Sequence, residues 1–234
     1  MNRRREPEPD LLSWLRGYRC TAPPPRAGAP ARVYSGAPSV PPPGAGPITA
    51  APARLPSEHE QAAHELALAA ALVLNTPQAS AALDLLVNDD RIHPEGAVVF
   101  ASLLFITDRP DAARFWWQFA AGSGNHTAAY CLHLYHLHLG EPRDAAYWRA
   151  QAEHLATRPR PTGGPLIRSP RPLLPDEVRG DILARSHRGL HPRLPAALEA
   201  VVNRLVVESD DDDFGEIPQP SGTLALDLSA VRTP

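Results

Sequence analysis

At 234 residues the chain is long enough for one full domain, but its 28 prolines cluster, so much of its length lies outside any core. The net charge of −3 names no partner, and all 23 basic residues are arginine, which with the alanine, proline and glycine load fits a GC-rich, bacterial coding sequence. No run of about 18 apolar residues occurs and MNRRREPEPDLLSWL lacks a secretory apolar core, which excludes a membrane-spanning helix and gives a cytoplasmic protein as the expectation.

Charge alternates along the chain. Residues 1–56 carry eight arginines against three acids, 57–156 five against twelve, 157–194 eight against three, and 195–234 two against eight. Cys20 and Cys131 lie in unlike settings, one in a Pro-rich stretch and one in an apolar run, which argues against a disulfide framework.

In chain order, 1–19 holds a short docking helix grouped on Leu11, Leu12, Trp14 and Leu15, too short to be stable alone. Residues 20–56 have too few large apolar groups to offset backbone entropy and read as a disordered Pro/Ala/Gly-rich linker. At Ser57 the pattern changes: Ser57 and Glu60 form a capping box, and strong helix formers follow. Helices are predicted near 57–74, 78–88, 95–107, 110–121, 126–139 and 142–156. Pro77, Pro94, Pro110 and Pro142 stand at or near their first turns, where the missing N–H is harmless.

After this helical domain, 57–156, comes a basic Pro-rich linker, 157–174, and then a helix pair within 175–208. The second of that pair carries a stripe of Leu198, Val201, Val202 and Leu205 that must be buried. Residues 209–234 read as an acidic tail in which Phe214 and Ile217 stand next to Asp210 to Asp213. The expectation is a solvated end, an interaction segment, or a segment folded back onto the basic linker.

Spacing is the main evidence for organisation. Pro77, Pro110 and Pro142 lie 33 and 32 residues apart, and Gly96 and Ala128 lie 32 apart. RPDAARFWW and PRDAAYWRA both place Asp-Ala-Ala before bulky aromatics. A period in the low thirties with two helices per unit resembles the tetratricopeptide-like superfamily. Ala113, Trp116, Trp117, Ala120, Ala121, Gly124, Ala128 and Leu132 resemble a unit of its Sel-like branch, with His133, His136 and Leu139 departing from that pattern. The resemblance covers 57–156 and is specific around 111–152. It implies an all-α fold of antiparallel helix-pair repeats whose groove binds another protein.

The histidines invite a metal reading. On a helix over 127–139, however, His138 points away from His133 and His136, so the three cannot meet at one ion. His133 and His136 could supply two ligands, with His126 or His154 as a third, but surface histidines on a groove are the simpler reading. HEQAAHE is one residue longer than the metalloprotease signature, so His59 and His64 diverge. Neither a phosphate loop nor a nucleophile elbow is present, and Cys131 sits in an apolar arc where a thiol is inert.

The reading is therefore a noncatalytic protein-interaction or regulatory adaptor, with no catalytic, cofactor or metal residues. Its partner is an unidentified protein, and the candidate groove is Asn125, His126, His133, His136 and Arg149. The alternative is a nucleic-acid-associated regulator using 175–207 and Arg179, Arg185, Arg188 and Arg193, and a lesser one is a His-dependent metal-binding protein.

Overall fold

The computed structural model describes residues 56–88, 93–158, 171–211 and 215–231. The docking helix, the Pro-rich segment 20–55, most of the basic linker and Asp212 to Phe214 lie outside the described residues. Among those described, the protein is mostly helical. Its helices are α1 (Glu58–Leu74), α2 (Ala79–Asn88), α3 (Pro94–Ile106), α4 (Pro110–Gly122), α5 (His126–His138), α6 (Pro142–Thr157), α7 (Asp176–His187), α8 (Ala196–Asn203) and α9 (Leu224–Ala230). Strands β1 (Val207–Asp211) and β2 (Gly215–Pro218) form one antiparallel hairpin between α8 and α9.

Local chemistry sets the helix ends. Ser57 Oγ accepts from the Glu60 amide while the Glu60 carboxylate accepts from the Ser57 amide, the capping box expected from sequence. Pro94, Pro110 and Pro142 each open a helix, where a proline loses no backbone bond. Helices α3, α4 and α5 are each 13 residues long.

Each of these three helices is followed by a three-residue loop with the same geometry. The middle residue has positive φ: Asp108 at 61°, Gly124 at 96° and Gly140 at 76°. The last loop residue donates backward to the fifth residue before it: Arg109 to Leu104, Asn125 to Ala120 and Glu141 to His136. These are Schellman caps spaced 16 residues apart, and each reverses the chain so that successive helices pack on one another. At the fourth position of α3, α4, α5 and α6 stands a buried alanine, namely Ala97, Ala113, Ala129 and Ala145. So small a residue at that point lets neighbouring backbones approach closely.

Gly124 isolates the backbone term. An added Cβ there meets no atom within 4 Å, so Gly124→Ala is expected to lose about 1–2 kcal/mol through left-handed φ alone, measured as a lower urea midpoint with unchanged slope.

The core lies between consecutive helices and under α1. α3 is apolar on every side, with Val98, Val99, Phe100, Leu103 and Leu104 buried, because α1, α2 and α4 surround it. Trp116 and Trp117 are both buried: Trp116 meets Phe100 edge-on at 5.1 Å, and Trp117 lies between Phe105 at 5.5 Å and Tyr135 at 6.3 Å. Trp148 is half-buried against Tyr147, since α6 has α5 as its main neighbour.

α1 packs against α3, α5 and α7, joining elements far apart in sequence. Its alanines Ala62, Ala67, Ala70 and Ala71 admit them, and Ser186 on α7 donates to the Ala67 carbonyl at 3.4 Å. No single helix among the described residues is long and apolar enough to cross a membrane. α1 and α2 reach that length only together, across an 82° bend.

Two expectations for the C-terminal region are corrected. The helix expected over 195–208 ends at Asn203, because Leu205 to Val207 leave it for the hairpin, where the Gln219 amide donates to Val206. The acidic tail is not wholly a solvated end: Ile217, Leu224, Ala225 and Leu228 are buried, and α9 packs on α2 and α8. Trp116 Nε1 donates to the Pro218 carbonyl at 3.2 Å, anchoring β2 to α4. The stripe on α8 is buried at Leu198, Val201 and Val202.

Candidate functional site

The five residues expected to line one groove take different positions around α5. Asn125 is the N-cap of α5, its side chain accepting from the Ala128 amide at 3.0 Å, and His126 is the first helical residue. His133 donates from Nδ1 to the Ala145 carbonyl at 2.8 Å, and the ring is half-buried against α6. His136 is buried, with 7% of its surface exposed, and its Nδ1 donates to Glu141 Oε2 at 2.6 Å. Arg149 is exposed on α6 and pairs with Glu153 at 3.1 Å. The side of α5 that carries His133 and His136 is thus largely a second packing face, against α6.

His133 and Arg149 both lie near Tyr130, a residue outside the five expected from sequence. It is 43% exposed, its ring centroid lies 5.9 Å from that of His133, and its phenol lies within electrostatic reach of Glu65 on α1 and Arg149 on α6. Partial burial and the neighbouring Glu65 carboxylate raise the phenol pKa, while Arg149 opposes them. Glu65 in turn accepts from Gln61 at 2.9 Å. The result is a polar face around Tyr130 spanning α1, α5 and α6.

A second cluster occupies the turn from α5 to α6. Glu141 is the N-cap of α6 and Asp144 lies in its first turn, so both acids suit the positive end of that helix. The Schellman cap folds them back onto His136, and one ligand atom from each of His136, Glu141 and Asp144 lies within 4.8 Å of the others. The carboxylates missing from helix-wheel reasoning stand five and eight residues beyond His136, across the turn.

The remaining histidines are spread out. His59 donates from Nδ1 to the Leu137 carbonyl at 2.8 Å, and His138 to the His59 carbonyl at 3.4 Å, so this pair fastens the start of α1 to the end of α5. His191 stacks edge-on with Phe105 at 5.7 Å; desolvation lowers its pKa, helped by Arg193 and Arg185 and opposed by Asp108.

Cys131 is fully buried and burial pushes its thiol up from 9.0 to about 12. Folding therefore holds a proton that the unfolded chain releases above pH 9.0. That contribution to stability is complete below this value and is lost as pH rises toward about 12, so alkaline unfolding followed by circular dichroism should begin above pH 9.0.

No protein-family model matches the chain, and neither a curated protein nor a solved structure is similar to it.

Proposed function

We propose that this chain is a noncatalytic protein-interaction or regulatory adaptor, built on a short array of helix pairs akin in plan to tetratricopeptide-like and Sel-like units. Support for the array comes from the 16-residue cadence of Asp108, Gly124 and Gly140 and from the buried alanines in phase with it. The array is not an open groove along its whole length, because α1 lies on α3 and α5.

The observation that carries the functional reading is Tyr130, exposed between Glu65 and Arg149 on a face shared by three helices. Tyrosine and arginine are the side chains most enriched in protein-binding patches, because each supplies a large contact area with a directed polar end. The unidentified partner is a protein that docks across α1, α5 and α6.

The arginines of 175–207 do not lead us to a nucleic-acid reading. Arg179 pairs with Asp176, Arg185 donates to the His191 carbonyl and Arg188 to the Ala184 carbonyl. α7 has α1 as its main neighbour and α8 has α9, which is not the packing of a helix-turn-helix.

The test compares proteins retained from cells by the full chain and by the double variant Tyr130→Ala, Arg149→Glu. Both residues are exposed, so unchanged thermal unfolding is expected alongside loss of a discrete bound protein. Identical sets of retained proteins would contradict the proposal.

A further inference from the structure

We propose that His136, Glu141 and Asp144 form a binding site for a divalent transition-metal ion of the zinc class. The ligand atoms are one nitrogen and two carboxylate oxygens within 4.8 Å of one another, a donor set that suits a borderline ion with water completing its coordination. His136 Nδ1 and Glu141 Oε2 stand 2.6 Å apart, whereas two ligands on one tetrahedral ion at about 2.0–2.2 Å are separated by about 3.3–3.6 Å, so the ion replaces the Nδ1 proton and the two side chains part by about 0.7–1 Å.

Helix electrostatics explains the two acids but not the imidazole. A histidine near the end of α5 serves the negative helix terminus best when exposed and charged, whereas His136 has 9% of its side chain exposed. Its one hydrogen bond lies inside the cluster, to Glu141. Within the described residues neither Glu141 nor Asp144 forms an ion pair with an arginine, so two carboxylates face one buried imidazole with no fixed cation between them. A dication satisfies all three at once.

The site lies in a rigid setting. The Glu141 amide is fixed to the His136 carbonyl by the cap, Tyr135 packs edge-on against the imidazole at 5.7 Å, and Ala145 is buried one residue beyond Asp144. Little of the backbone therefore has to be ordered when the ion binds, which favours affinity. Functionally, such an ion would lock the α5 to α6 turn and the start of α6, the helix that carries Arg149, and so tune the proposed docking face; the binding site itself stands whether or not that face has a partner.

The experiment is equilibrium dialysis of the full chain against zinc chloride, with cobalt chloride as a spectroscopic probe. The expected result is one zinc per chain, a cobalt d–d band, and a rise in unfolding temperature with zinc concentration. Glu141→Gln and Asp144→Asn alter exposed side chains and keep the fold, so each is expected to weaken zinc binding at least about tenfold. Equal affinity in wild type and both variants would overturn the proposal, because the zinc would then sit on other histidines, and so would the absence of stoichiometric zinc in the wild type.

Discussion

Gly96→Ala is expected to destabilise the protein strongly, against the ordinary trend for a glycine inside a helix. On propensity alone alanine would gain about 1 kcal/mol at this position. A Cβ on Gly96, however, would come within 2.2 Å of the Ala82 carbonyl oxygen and 2.7 Å of Leu86 Cβ. The nearer atom is backbone of α2 and cannot swing aside, so α2 and α3 must separate. Overpacking of this kind costs about 1–3 kcal/mol or more, which exceeds the propensity gain and sets the sign. Denaturant unfolding should give a net loss of about 2 kcal/mol, and the wider Gly96→Val should lose more. A gain for Gly96→Ala would mean that the two helices do not cross here.

Trp116→Ala should have the largest effect of any single truncation. Its ring is 2% exposed and touches Phe100, Phe115 and Phe119, so the cavity and lost transfer energy together predict about 3–5 kcal/mol. It also removes the donor to Pro218, so 215–231 should lose amide protection before the rest of the fold. Trp116→Phe separates the two causes. It keeps much of the packing and removes the hydrogen bond, for a loss of about 0.5–1.5 kcal/mol from that term, with exchange accelerated mainly in β2 and α9.

What could be read from sequence follows the range of the interaction that specifies it. Helix starts at Pro94, Pro110 and Pro142 and the Ser57 cap depend on neighbours within four residues, and all are where local chemistry puts them. The caps were legible at Gly124 and Gly140 but not at Asp108, whose carboxylate gives no sign of positive φ until Arg109 is seen bonded to Leu104. The position of α1 across α3, α5 and α7 rests on contacts over long separations, which periodicity does not encode.

The same limit explains the sites. A helical wheel for α5 ends at the helix, so it could not bring Glu141 and Asp144 back to His136, nor place α6 over His133. It gave no reason to single out Tyr130, because Glu65 stands on α1, 65 residues earlier in the chain. For the C-terminal region, Val206 and Val207 carried a β-branched signal outweighed by the amphipathic stripe before them, and nothing near Pro218 announced Trp116 as its donor.

The most direct test of the adaptor reading is site-specific photo-crosslinking. A photoreactive phenylalanine analogue replaces Glu153, exposed one turn beyond Arg149 on α6 and paired with it, and in a parallel chain replaces Leu72, exposed on α1. We predict a discrete cross-linked protein from position 153 in cells, diminished when Tyr130→Ala and Arg149→Glu are added, and none of that species from position 72. Cross-linking that is equal from both positions, or unaffected by the two substitutions, would contradict a docking face on α1, α5 and α6.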